Sequence, residues 1–411
     1  MAYPILKDST DACMKCGFCM SNCPVYNIDK LEAHVARGRN MLIQLAENKK
    51  IVPDNYYKSI LYYCLLCGRC EAMCPAKVLS NTITLKARKE LIKQTGLSLM
   101  QRLVYRGLIK HRSFFARLGA LATLVPGLTA KENQPIRHFP DIVSAALTGV
   151  SFPRLSVPFL TKRVKKKAKS ESVWQAAKIA FFSGCLTEFF FASTGTDMIS
   201  ILQQAGYNVD LPEQTCCGLA VYSAGDFDTA VVMAKRNIDS LSGYDYIVTG
   251  CASCSSTLKG YVNWFDEGEY KQKAVELSKK VKDFAQFIVQ QDIKPKGVSG
   301  KPLKVTYHDP CHLRWKQGIL AEPRAVLKNI DGVEFVEMEG ADSCCGLGGS
   351  FGITHPDVSK AIQAKKVEAI KKSGADVVVT SCPGCMIQLM DGLRRYKLPV
   401  KVMHIAELMK K

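Results

Sequence analysis

Cys13, Cys16, Cys19 and Cys23 are spaced C-x2-C-x2-C-x3-C with Pro24 next, and Cys64, Cys67, Cys70 and Cys74 before Pro75 repeat the string. Thiolates at these spacings are the ligand string of a [4Fe–4S] cubane. Three close cysteines hold one cluster, and the fourth reaches across to a second. The doubling then has a reason, since each string supplies the ligand its twin lacks. By that rule Cys13, Cys16, Cys19 and Cys74 hold one cluster, and Cys64, Cys67, Cys70 and Cys23 hold the other. A zinc knuckle needs four ligands, normally from two separated pairs, and two full copies of the longer run argue against it.

Ten more cysteines form a second constellation, grouped one, two and two in each half of the chain beyond residue 171. They are Cys185, Cys216, Cys217, Cys251 and Cys254, then Cys311, Cys344, Cys345, Cys382 and Cys385. Converging thiolates repel one another, so five of them point to a neutralising metal or cluster. Five ligands exceed a tetrahedral zinc site, although zinc in one half stays open, as does a purely structural role. Gly218 and Gly346 follow the two pairs and suit a tight turn or a close approach of backbone to metal.

The flanking residues repeat as well: "KIAFFSGC" answers "KVTYHDPC", and "YDYIVTGCASC" answers "ADVVVTSCPGC". Each half reads as three short strands alternating with helices, hence a parallel α/β layer with the cysteines past the carboxyl ends of strands. Before them, Leu31, Val35, Leu42 and Leu45 recur at helical spacing between the two cubane strings, so that part reads as helical. Residues 97–170 read as a basic amphipathic helix and a linker ending in "TKRVKKKAKS". The net charge of +19 is concentrated here: residues 77–170 hold nineteen Lys or Arg against Glu90, Glu132 and Asp141. No nucleic-acid module accompanies this charge, so an anionic membrane face, an acidic partner or a solvated linker remain its readings. The uncharged stretch 118–130 is too short to span a bilayer. Metal-type cysteine spacing with no apolar export segment at the start places the chain in the cytoplasm, with a peripheral position on the inner membrane face as the basic segment's consequence.

Together these motifs resemble the iron–sulfur subunits of glycolate oxidase and D-lactate dehydrogenase complexes. They are also similar to the C subunit of anaerobic glycerol-3-phosphate dehydrogenase and to a fusion of the C and B subunits of heterodisulfide reductase. The resemblance implies an α+β multidomain chain: an α-helical two-[4Fe–4S] ferredoxin domain at 1–96, the basic segment at 97–170, and two repeated α/β CCG domains at 171–298 and 299–411. It also implies one or two further, non-cubane [4Fe–4S] clusters on the ten CCG cysteines.

His308 and His312 bracket Cys311, where the first half has no histidine; either reads as a loop histidine, a ligand, a proton relay or a hydrogen-bond donor to sulfur. "GLGGSFG" at 346–352 is not a nucleotide loop, because Phe351 stands where the fingerprint needs glycine. No flavin or nicotinamide fingerprint and no hydrolase triad is found, so no catalytic residue for substrate oxidation is expected on this chain. Oxidation of an alcohol releases two electrons with a hydride, normally to a flavin. The expected role is therefore an electron-transfer subunit serving an FAD-containing dehydrogenase of lactate or glycolate, with quinone as acceptor. A glycerol-3-phosphate complex and a heterodisulfide-reductase-like catalytic subunit are the alternatives.

Overall fold

The structure, a computed structural model, describes residues 10–112, 153, 155–167, 177–295, 297 and 301–410. Its N-terminal part is helical. Each cubane string is a loop running into a short helix, Phe18–Asn22 after Gly17 and Arg69–Ala72 after Gly68. Both glycines are left-handed, at φ 81° and 82°, a conformation that costs glycine little. Longer helices form at Ala36–Glu47, Asn55–Tyr62 and Ser80–Thr95. Asp54 caps the second by accepting from the Tyr57 N–H at 2.8 Å. Ile43, Tyr57, Leu61, Ile83 and Leu91 join these helices in one core. Leu31 falls outside the helical pattern expected of it: Lys30 sits in a left-handed turn (φ 60°), and Leu31 is exposed.

Two parallel sheets follow, of four strands each. Strands β1 (Lys178–Phe181), β2 (Asn208–Asp210), β3 (Tyr246–Thr249) and β4 (Val281–Asp283) lie in the order β2-β1-β3-β4. Strands β5 (Leu303–Tyr307), β6 (Val333–Phe335), β7 (Val377–Thr380) and β8 (Lys401–His404) repeat it as β6-β5-β7-β8. Ile179–Phe181 and Val377–Val379 are buried throughout, as strands covered on both faces must be. The fourth strand of each half goes beyond the three that the sequence pattern predicts. "VKD" and "KVMH" are short and begin or continue with lysine, so neither shows an apolar run.

The carboxyl end of β4 is under electrostatic stress. Asp283 is fully buried and caps the helix Phe284–Gln290 by accepting from the Ala285 N–H at 3.0 Å, while its Oδ2 has no partner. Burial, only partly offset by that bond and by Lys259, pushes its carboxyl from an ordinary 3.8 up to about 7. The folded state thus keeps a proton that the unfolded chain releases, and stability falls as pH rises from about 4 to about 7 and then levels. Asp283→Asn should flatten this slope and raise the denaturant midpoint at pH 8, by on the order of a few kcal/mol, with little change near pH 4. A parallel loss at both pH values would show that the charge is not the cost.

Between the helical part and β1, residues Leu99–Arg102 start as α-helix and Leu103–Ile109 continue as π-helix. This segment is tied to the first sheet domain. Arg106 pairs with Asp226 at 3.0 Å, and Arg112 donates to Glu188 at 2.6 Å and to Ser183 at 2.8 Å. Leu160–Lys167, expected as linker, is a helix whose Leu160 is buried so tightly that a Cβ on Gly195 would lie 2.6 Å from it. The remainder of the expected amphipathic helix, its uncharged stretch 118–130 and the end of the lysine run lie outside the described residues. Among the described residues, no helix is long and apolar enough to cross a membrane.

Candidate metal centres

None of the eighteen cysteines is in a disulfide. Cys13, Cys16, Cys19 and Cys74 line one cavity. Cys23, Cys64 and Cys67 line a second, and Cys70 touches both. Backbone amides already point at two of these sulfurs: Leu66 N–H donates to Cys64 Sγ and Val78 N–H to Cys74 Sγ, each at 3.4 Å. Arg39 lies buried on the wall of the second cavity, donating to the His34 carbonyl at 2.6 Å. Burial works against its charge, but the Cys64, Cys23, Cys70 and Cys19 thiolates outweigh that and raise its pKa. A fixed cation beside these sulfurs favours an added electron. Arg39→Leu should therefore lower the potential of the second-string cluster, because the fixed cation that stabilises the added electron is gone. Redox titration followed by EPR reads the shift, and an unchanged potential would exclude this role.

In the two sheet domains every cysteine group follows a strand. Gly184, just before Cys185, is left-handed (φ 63°), and a Cβ there would stand 2.8 Å from Cys254 Sγ. Gly346 is also left-handed (φ 95°), and a Cβ would come within 2.7 Å of the Ser359 carbonyl; the turn after the cysteine pair admits only glycine. The sulfurs form a continuous row. Cys185, Cys216, Cys217, Cys254 and Cys251 of the first domain lie close enough for each to shift its neighbour's ionisation. From Cys251 the row crosses to Cys382 and continues through Cys385, Cys345 and Cys344 to Cys311. Ser253 Oγ meets Cys382 Sγ at 3.7 Å, and the Ala252 N–H donates to the Ser381 carbonyl at 3.0 Å, so the two CxxC loops are bonded to each other.

Charge is distributed alike at the Cys-Cys-Gly pairs of both halves but not at the CxxC loops, where Cys382 is held well below the usual thiol range and its counterpart Cys251 is pushed well above it. Cys217 is held well below the usual thiol range by hydrogen bonds from Cys216 and Cys254. Cys345, its counterpart, is held down by Cys344 and Cys385. Their neighbours are pushed up: Cys185 by its bond to Cys216 and by burial, Cys311 by its bond to Cys344 and by burial. The second cubane string abuts the second sheet domain, with Leu65, Cys23 and Cys67 packed in one cluster with Cys344. Burial, followed by the Cys311 charge, raises the Cys67 thiol.

The 4Fe-4S dicluster domain matches residues 9–78, and the cysteine-rich domain named CCG matches residues 179–259 and again 305–390. Across nearly the whole length, the chain is 32% identical over 419 residues to the probable glycolate oxidase iron-sulfur subunit of Bacillus subtilis, covering 97% of this chain and 92% of that one. The chain belongs to this iron–sulfur subunit family. A fumarate reductase (CoM/CoB) subunit of Methanothermobacter marburgensis is 32% identical over 406 residues, covering 97% of this chain and 71% of its own. Lactate utilization protein A of a Geobacillus species is 34% identical over 235 residues, 56% of this chain and 98% of its own. A hypothetical protein from Helicobacter pylori shares the fold alone, with a TM-score of 0.52 at 8% identity over 91% of this chain and 68% of that one.

Membership in this family implies two [4Fe–4S] clusters for the dicluster domain. The donor set fits them: eight cysteines outside any disulfide line two cavities, with amides directed at sulfur. Each CCG domain holds its cysteine loops with buried polar side chains that the sequence did not single out. Gln214 accepts from the Ser183 N–H at 2.9 Å and fixes the loop before Cys185. Asn237 accepts from the Thr215 N–H at 2.8 Å and donates to the Cys216 carbonyl at 3.1 Å. Gln317 donates to the His312 carbonyl and to Ser255 Oγ, both at 2.9 Å, joining the two domains. His404, at the end of the unexpected β8, bonds the Gly250 carbonyl at 2.8 Å through Nε2 and so anchors the residue before Cys251. His308 and His312 are both buried beside the second cysteine group, and burial lowers each to about 3.

Proposed function

We propose that this chain is the electron-transfer subunit of a flavin-dependent 2-hydroxy-acid dehydrogenase, of lactate or glycolate, passing electrons from an FAD-containing partner subunit towards quinone. The observation that carries this reading is the row of sulfur running from the second cubane string into the second CCG domain and across Cys382 and Cys251 into the first. The proposed ligands are Cys13, Cys16, Cys19 and Cys74 for one cubane, Cys64, Cys67, Cys70 and Cys23 for the other, and the ten CCG cysteines for further iron. Iron–sulfur clusters there would carry single electrons, whereas alcohol oxidation delivers a pair, which is why a flavin on another subunit is needed. The names of the glycolate oxidase and lactate utilization relatives support the substrate class. Leu99, Met100 and Leu103 remain exposed on the basic segment and offer a contact for partner or membrane. Copurification tests the partner. An FAD-containing subunit should accompany the chain, and lactate or glycolate should reduce the complex's clusters. Clusters that stay oxidised under both substrates would sink the reading.

A second reading has its own support in the fumarate reductase relative. There the CCG centre would itself reduce a substrate, with His312 placed beside Cys311 to move a proton. Turnover of a disulfide or quinone by the isolated chain would favour it, and a partner requirement for all activity would exclude it.

A further inference from the structure

The two CCG domains differ at a fully buried position against their sulfurs. The repeat that aligns Cys185 with Cys311 also aligns Phe182 with His308, and both side chains are fully buried. The imidazole of His308, with Cys345 Sγ and Cys385 Sγ, forms a group whose ligand atoms all lie within 4.8 Å of one another. Those two sulfurs are 3.6 Å apart. Sulfurs bound to one tetrahedral metal at about 2.3 Å each would stand about 3.8 Å apart, so the pair already has the spacing of two ligands on one atom.

His308 itself lacks what a buried imidazole requires. Neither Nδ1 nor Nε2 makes a well-formed hydrogen bond, which leaves a buried donor and a buried acceptor desolvated. The Ala341 carbonyl lies close enough to raise the pKa slightly, but it already accepts from the Asp309 N–H at 3.0 Å and from the Lys366 ammonium at 3.2 Å. Metal-bound histidines commonly turn one ring nitrogen to a backbone carbonyl and the other to the metal, and this ring has both within reach. In the first domain Phe182 can serve no such purpose.

We propose that His308 is a nitrogen ligand of the metal centre in the second CCG domain, which makes that centre chemically distinct from the all-cysteine set of the first. The inference rests on the reading that the second domain's cysteines bind iron. Imidazole in place of thiolate removes negative charge from a centre and raises its potential, as in clusters where histidines replace two cysteines. The second domain would then be the electron sink nearest the cubanes.

The test uses the full chain, purified anaerobically with its partner and labelled with 15N-histidine. Iron is counted, and pulsed EPR is recorded after oxidation with ferricyanide and after reduction with dithionite. The expected result is more than the roughly eight irons of two cubanes, with a directly coupled histidine nitrogen. That coupling should vanish in His308→Phe, which copies the first domain, while the cubane signals stay. His308→Cys covers the case of a variant that fails to fold, since it returns a ligand atom without the nitrogen. Iron above eight without histidine coupling in either state, or coupling that survives both substitutions, overturns His308 ligation alone. About eight irons overturns it together with the reading it rests on.

Discussion

Cys74→Ser should empty the cluster held mainly by the first string and spare the one held by the second. Cys74 is 55 residues or more from Cys13, Cys16 and Cys19 in sequence, yet all four line one cavity. Its sulfur accepts from the Val78 N–H at 3.4 Å, which holds it there. A serine hydroxyl is a harder and less readily ionised ligand than a thiol, so a thiolate-bound cubane loses its fourth anchor. The expected loss is about four irons per chain, together with the EPR signal that Cys16→Ser also removes. Cys23→Ser should do the converse, in step with Cys67→Ser. If Cys74→Ser instead abolishes the signal that depends on Cys67, the ligands do not cross between strings. Cys70 makes this a demanding test, because it touches both cavities and its variant would not discriminate.

The parts of this molecule that are legible in its sequence are those where chemistry fixes spacing. Cysteine strings announce themselves because ligands must converge within a few ångströms, and the one-two-two grouping announces strand ends because a parallel sheet delivers its loops to one edge. What stays hidden has no spacing rule. The strands β4 and β8 are short edges whose lysines read as loop. His404 acts through one carbonyl of the other domain, 154 positions away. The basic excess of residues 77–170 reads as a membrane face, a partner surface or a solvated linker, whereas its Arg88, Arg106 and Arg112 are spent within the fold. A guanidinium that binds buried carbonyls looks, in sequence, like any charged residue on a helix.

Arg88 is where that hidden use matters most, and its replacement carries the second large expected effect. On the helix Ser80–Thr95 it is buried, with its guanidinium 4.7 Å from the Tyr62 ring centre. It donates to the Leu61 carbonyl at 2.7 and 3.1 Å, to the Cys64 carbonyl at 2.8 Å and to the Ser223 carbonyl at 2.7 Å. One side chain thus satisfies the helix end before the second cubane string, the first cysteine of that string and the end of the helix Leu219–Ser223 in the first CCG domain. Nearby, the Tyr62 hydroxyl donates to the Ala224 carbonyl at 2.8 Å, and a Cβ on Gly225 would lie 2.6 Å from the Arg88 carbonyl, so the contact between the two domains is tight. Arg88→Leu would leave the buried Leu61 carbonyl without a donor, at about 1–3 kcal/mol, and the half-buried Cys64 and Ser223 carbonyls without theirs at less. The denaturant midpoint should fall accordingly, and a chelator should strip iron first from the cluster that Cys64 helps to hold. Arg88→Lys should lie between, because a single ammonium cannot reach all three carbonyls in the fork geometry of a guanidinium. If Arg88→Leu unfolds at the wild-type midpoint and releases iron no faster, the bonds from this residue are not what joins the dicluster domain to its neighbour.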